Sequence, residues 1–217
     1  MAQELLRAVQ ENKMSELSQH LDKKSKQNMD TIEKTEQLYL KTSVWTLAKN
    51  RIIWLLILMI SATVTGAIIQ GFEDVLQSVV ILASFIPMLM DTGGNSGSQS
   101  STLIIRGLAL GEITTKDIFK VIFKEFKVSI VVASILSSVN FLRLYFFTSA
   151  GFMVSLTVCA SLFFTIVLAK VVGGILPIIS KKLNLDPAIM ASPLITTIVD
   201  AFALIIYFAF AKILLGI

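Results

Sequence analysis

The sequence predicts an all-α integral membrane protein, and three observations predict it. Of 217 residues, 54% are hydrophobic and only 16% charged, against roughly 25% charged in ordinary soluble domains. The charge is crowded at one end: residues 1–51 hold nine of the nineteen Lys and Arg and seven of the fifteen Asp and Glu. Beyond them come apolar runs near or above the length of about 20 residues that a hydrocarbon core of about 30 Å asks of a helix. The mean hydropathy of +0.77 agrees.

Residues 1–37 form a polar N-terminal segment on this reading. Leu5, Leu6, Val9, Leu17 and Leu21 recur at roughly helical spacing within 4–21, which predicts a short amphipathic helix. Residues 22–36 mix both charges and read as a linker. His20, the single histidine, lies here without metal-ligating company. The first residues carry charge throughout and lack the apolar centre of a signal peptide. The sequence pI near 9.2 speaks to membrane topology before nucleic acid, because Lys and Arg beside spans set orientation.

Residues 38–217 read as the membrane domain. In 38–50, Tyr39, Val44, Trp45 and Leu47 alternate with Lys41, Thr42, Lys49 and Asn50, the pattern of an interfacial helix at headgroup depth. Five spans follow, near 52–71, 75–103, 121–147, 152–179 and 187–215. Pro87 or the glycines after it predict a kink or irregular turn in the second. Residues 112–127 set Ile113, Ile118, Phe119, Ile122, Phe123 and Phe126 opposite Lys116, Lys120, Lys124 and Lys127. They predict a helix along the inner membrane surface, capped by Thr114 or Thr115. With the N-terminus inside, cytoplasmic segments hold sixteen basic residues against one in the outer loops. The positive-inside rule therefore predicts a cytoplasmic N-terminus and an outer C-terminus in a plasma membrane. No internal repeat is visible. Cys159, the single cysteine, reads as a small buried residue.

The functional signal lies where polar groups fall at bilayer depth. The stretch PMLMDTGGNSGSQSSTLIIRGLALGE, residues 87–112, puts Asp91, Asn95, Ser98 and Gln99 among Gly93, Gly94 and Gly97. Lipid cannot satisfy such side chains, so they face protein or water. Asp200 lies about thirteen residues, or roughly 20 Å, into the fifth span, with Thr196 and Thr197 one turn earlier. An anionic oxygen flanked by hydroxyls near mid-membrane suits a hard divalent cation. Asp91 and Asn95 are candidates to line the same path. Lys170 reads as a snorkelling lysine, with pairing to a carboxylate as its alternative. No nucleophile elbow, phosphate loop or Cys cluster stands out, so no enzyme is predicted.

GGNSGSQSSTLIIRGLALGEI, DPAIMASPLITTIVDAFALIIYFAFA and YLKTSVWTLAKNRIIWLL together resemble the membrane domain of the MgtE magnesium channel/transporter family, in the right order over most of residues 39–217. The resemblance implies a homodimer of five-helix subunits around a Mg²⁺ pore, lined by the second and fifth spans. Asp200 corresponds to that family's pore aspartate. Family members usually carry a long N-terminal domain and CBS domains before the membrane part, and about 38 residues stand there in this chain, a short form. Ala203 and Ser192, the residue before Pro193, stand where the family pattern more often has glycine, and Asp91 adds a charge beside the GGN motif. The expected function is Mg²⁺ transport. Alternatives are a Na⁺- or H⁺-coupled exchanger for Ca²⁺, Mn²⁺ or Co²⁺, and a non-transporting membrane subunit.

Overall fold

A computed structural model describes residues 41–217, apart from the side chains of 50 and 189–192. The predicted helix over 4–21, the linker over 22–36, His20 and Tyr39 lie outside the described residues. The chain divides into two compact units, 1–53 and 54–217, and one helix runs across the division.

Every regular element among the described residues is helical: α1 (Val44–Gly71), α2 (Glu73–Ser78), a 3₁₀ segment (Val80–Phe85), α3 (Ile86–Leu110), α4 (Ile118–Phe147), α5 (Gly151–Lys182) and α6 (Pro187–Leu215). Among the described residues four helical stretches are long and apolar enough to cross a membrane: Val44–Gly71, Thr115–Phe147, Gly151–Lys182 and Pro193–Leu215. α3 is not among them, because the polar glycine stretch dilutes its hydropathy.

Two boundaries differ from expectation. Trp45 and Lys49 belong to the same 28-residue helix as the first span, so the described part of the interfacial segment is no separate element. The segment 112–127 is likewise not a surface helix. After a left-handed Gly111 and a short 3₁₀ turn over Thr115–Asp117, α4 runs unbroken from Ile118 to Phe147. Thr114 does serve at its start: its backbone N–H and its hydroxyl both donate to the Asp117 carboxylate, at 3.1 and 2.6 Å.

The second predicted span is interrupted, but ahead of the glycines. Val79 leaves helical geometry at φ −137° and ψ 80°, and a 3₁₀ segment follows to Phe85. Pro87 then falls in the first turn of α3, where its missing N–H costs nothing. Tyr207 on α6 donates to the Leu82 carbonyl in that segment at 2.9 Å, satisfying a backbone group the irregular geometry leaves over.

α5 is the centre of the unit and packs on α3, α4 and α6, while α6 also packs on α3. The register follows from glycines. A Cβ on Gly93 would lie 2.8 Å from Thr165 and 2.7 Å from Val199, and one on Gly97 would meet the Ala169 carbonyl and, at 2.7 Å, Ile195. A Cβ on Gly173 would strike the Gly97 carbonyl. α3 and α5 are therefore parallel with backbones in contact, and α6 is antiparallel to both, an approach that small residues permit. α4 is antiparallel to α5: Asn140 donates to the Cys159 sulfur at 3.5 Å, and a Cβ on Gly174 would meet Glu125. Cys159 is buried, as expected. Above this seam, Leu82, Leu89, Val158, Leu162, Ile166, Leu204, Tyr207 and Phe208 form the main apolar core.

Candidate functional site

α3 divides its residues by size and polarity. Its buried face is small: Gly93, Gly94, Ser96, Gly97, Ser100 and Ser101. The short side chains let α5 and α6 approach, and their packing holds a glycine-rich helix that propensity alone disfavours. The opposite face is exposed and polar, with Asp91, Asn95 and Gln99 at intervals of four, followed by Thr102 and Arg106. Residues spaced by four share one face of a helix, so these side chains form a stripe.

α6 begins on an Asp186 cap, whose carboxylate accepts from Ala188 N–H at 2.9 Å, with Pro187 in the first turn. Pro193 lies inside the helix and removes one ladder donor. Thr196 and Thr197 both donate their hydroxyls to the Pro193 carbonyl, at 3.0 and 2.9 Å. With the hydroxyl protons committed to backbone, each oxygen presents lone pairs. Asp200 is half-buried one turn further on. A Cβ on Gly94 would touch the Thr196 methyl at 3.7 Å. Together with the Gly93–Val199 and Gly97–Ile195 approaches, this register sets Asp91 level with Asp200 and Asn95 level with Thr196 and Thr197. The five predicted ligands thus fall on two adjacent levels of the α3–α6 pair, one helical turn apart.

Among the described residues no group of three or more His, Cys, Asp and Glu side chains is gathered tightly enough to hold a metal ion. One chain instead supplies two carboxylates, an amide and two hydroxyls. That oxygen-only set suits an ion that sheds its water reluctantly and is held through its hydration shell, as Mg²⁺ is.

The family model for MgtE, a divalent cation transporter, matches residues 86–210, from the start of α3 to near the end of α6. The chain belongs to the MgtE family. The magnesium transporter MgtE of Bacillus subtilis is 39% identical over 170 residues, covering 78% of this chain and 38% of that protein. The protein of that name in Thermus thermophilus is 39% identical over 166 residues, covering 76% of this chain and 36% of its own length. A third, from Enterococcus faecalis, is 27% identical over 168 residues. This chain therefore spans a little over a third of the relatives it matches.

Against this MgtE-family frame, two charged residues sit where the sequence did not point. Lys170 is 5% exposed, on the central helix α5, its ammonium is not among the fully enclosed polar atoms, and among the described residues it makes no hydrogen bond or ion pair. Glu125 is 8% exposed and accepts the Ser100 hydroxyl at 2.6 Å. The inward face of α4 is Val121, Glu125, Ser129 and Ala133, whereas Phe119, Phe123 and Phe126 are exposed. In water an apolar face turns inward, but in lipid a face of Phe can point out and the small polar seam points in. The run at 121, 125, 129 and 133 was the available signal, with its interval of four and no large side chain.

Proposed function

We propose that this chain carries a divalent cation, Mg²⁺ first, across a membrane. The working unit is a homodimer of five-span subunits, with α3 and α6 lining a pore at the two-fold axis. The 3₁₀ segment and α3 together serve as the second span, whose polar stripe has no reason to face lipid. The observation that carries the reading is the adjacency, across the α3–α6 contact, of exposed Asp91 and Asn95 with the levels of half-buried Asp200, Thr196 and Thr197. A two-fold axis beside them doubles the set to four carboxylates around a hydrated ion. The relatives' name, magnesium transporter, supports the choice of ion. The basic residues of 1–51 and of the α3–α4 connection support a cytoplasmic N-terminus, in the plasma membrane. A membrane potential of about 100 mV then draws a double charge inward by roughly 4.6 kcal/mol.

The test is flux into liposomes that hold purified protein and a trapped Mg²⁺-sensitive dye. Wild-type protein is expected to admit Mg²⁺, and Asp200→Asn to lower the initial rate by about 100-fold, since a mid-membrane charge compensates the ion's lost hydration. An unchanged rate in Asp200→Asn removes Asp200 from the path, and wild-type vesicles that admit no divalent cation overturn the function.

A further inference from the structure

On the flank of α3 away from the stripe lies a second group of polar residues that the proposed path does not use. Ser96, Ser100, Glu125, Ser129 and Lys170 are all at least nine-tenths buried and come from α3, α4 and α5. The register sorts them into two layers. Ser100 bonds Glu125, and the Glu125 Cγ lies 3.0 Å from the Cβ position of Gly174, so these three share a layer. One turn away, Ser96 on α3, Ser129 on α4 and Lys170 on α5 share the next.

The Lys170 side chain is enclosed along its length but its ammonium, which makes no hydrogen bond or ion pair among the described residues, keeps some contact with the surface, and the Glu125 carboxylate is relieved only by a hydroxyl; opposite charges so placed are stabilised by pairing. Lys170 and Gly174 are four apart and face the same way, so the carboxylate across from Gly174 is within a lysine side chain's length of Lys170. Helical side chains lean toward their own N-terminus. On the antiparallel α4 and α5 that lean draws the two charges apart, so their pairing requires a change of side-chain rotamer. Glu125 also borders a cavity of about 510 Å³ shared with Glu112, Asp117, Lys120 and Lys124. Asp117 and Lys120 there are already paired at 2.9 Å.

We propose that the Glu125 carboxylate exchanges between two partners, the Ser100 hydroxyl on α3 and the Lys170 ammonium on α5, and that this exchange positions α3, the wall bearing Asp91 and Asn95. The positioning half rests on the transport reading above, while the pairing half does not. Glu125 and Lys170 are positioning residues that touch no ion.

The test is a double-mutant cycle on the full chain with two readouts, the thermal unfolding midpoint in detergent and Mg²⁺ flux in liposomes. Glu125→Gln keeps an acceptor for Ser100 but strands Lys170, and Lys170→Met strands Glu125. Each is expected to lower the midpoint by about 3–6 °C, and the double variant to recover at least half of that loss, because two buried charges leave together. In flux each single variant is expected to fall about 5–10-fold and the double to return within about 3-fold of wild type. Glu125→Asp, which retains the charge, is expected to stay within about 2-fold and covers the case in which Glu125→Gln does not fold. Additive losses in the midpoint overturn the pairing. A coupled midpoint with additive flux losses overturns the positioning role alone. Wild-type vesicles that pass no divalent cation overturn the transport reading, while the midpoint cycle still decides the pair.

Discussion

The two flanks of α3 are both polar and differ in what surrounds them. The stripe of Asp91, Asn95 and Gln99 is exposed on the subunit and lies beside Asp200 and Thr196 of α6. The layer of Ser96 and Ser100 is buried against Glu125, Ser129 and Lys170. In a membrane both kinds of polarity must be satisfied, but by different means. Buried groups are answered by neighbours within the chain, and a stripe exposed among the described residues is answered, on the proposed reading, by a second subunit, water or an ion. Residues of the stripe should therefore cost function without stability, and residues of the buried flank both together.

The sharpest way to break this contrast strikes the seam both flanks depend on. Gly173→Val puts a branched side chain against the Gly97 carbonyl, which backbone cannot yield to without separating α3 from α5. Overpacking of this kind costs about 1–3 kcal/mol or more. The expected result is loss of the monodisperse peak in size-exclusion chromatography, or a midpoint lower by about 5 °C or more. Next is Asp200→Asn, whose roughly 100-fold flux defect should come with a midpoint within about 2 °C of wild type, because a half-exposed carboxylate contributes little to packing. A large fall in midpoint would mean that Asp200 belongs with the structural flank. Asp91→Asn should lower flux by about 10-fold, and shift relative rates among Mg²⁺, Mn²⁺ and Ca²⁺ in competition assays, since charge count and site rigidity tune oxygen sites. Gln99→Ala, farther along the stripe and exposed, should alter flux and midpoint least, by under about 2-fold and 1 °C. A larger effect there extends the path toward Arg106.

Sequence reasoning reached the first flank and, of the second, only Lys170, with pairing to an unnamed carboxylate as an alternative, for one physical reason. Asp91 and Asp200 interrupt apolar runs, so any residue-by-residue reading flags them as costly in lipid. Glu125 hides among lysines at the end of a run, where charge is ordinary, and only its packing against Gly174 and Ser100 sets it apart. Lys170 misled for a related reason. Its distance from the helix end allowed snorkelling, and the crowding that buries it comes from helices distant in sequence. Helix identity was legible from run length. The irregular Val79–Phe85 segment was not, because VVILASF is as apolar as any helix. Its break is sustained by the Tyr207 hydroxyl, which lies 125 positions from Leu82. The family resemblance was carried by motifs in α3 and α6, the helices that share the candidate site.

The meeting of Gly97 with Gly173 has a mechanical consequence. Side chains can switch rotamers and so let packed helices slide, but here main chain rests on main chain and offers no such freedom. The α3–α5 contact is therefore stiff against sliding, and the breaks from α-helical geometry lie beyond it at the two ends of α3, in the 3₁₀ segment before Pro87 and at the left-handed Gly111.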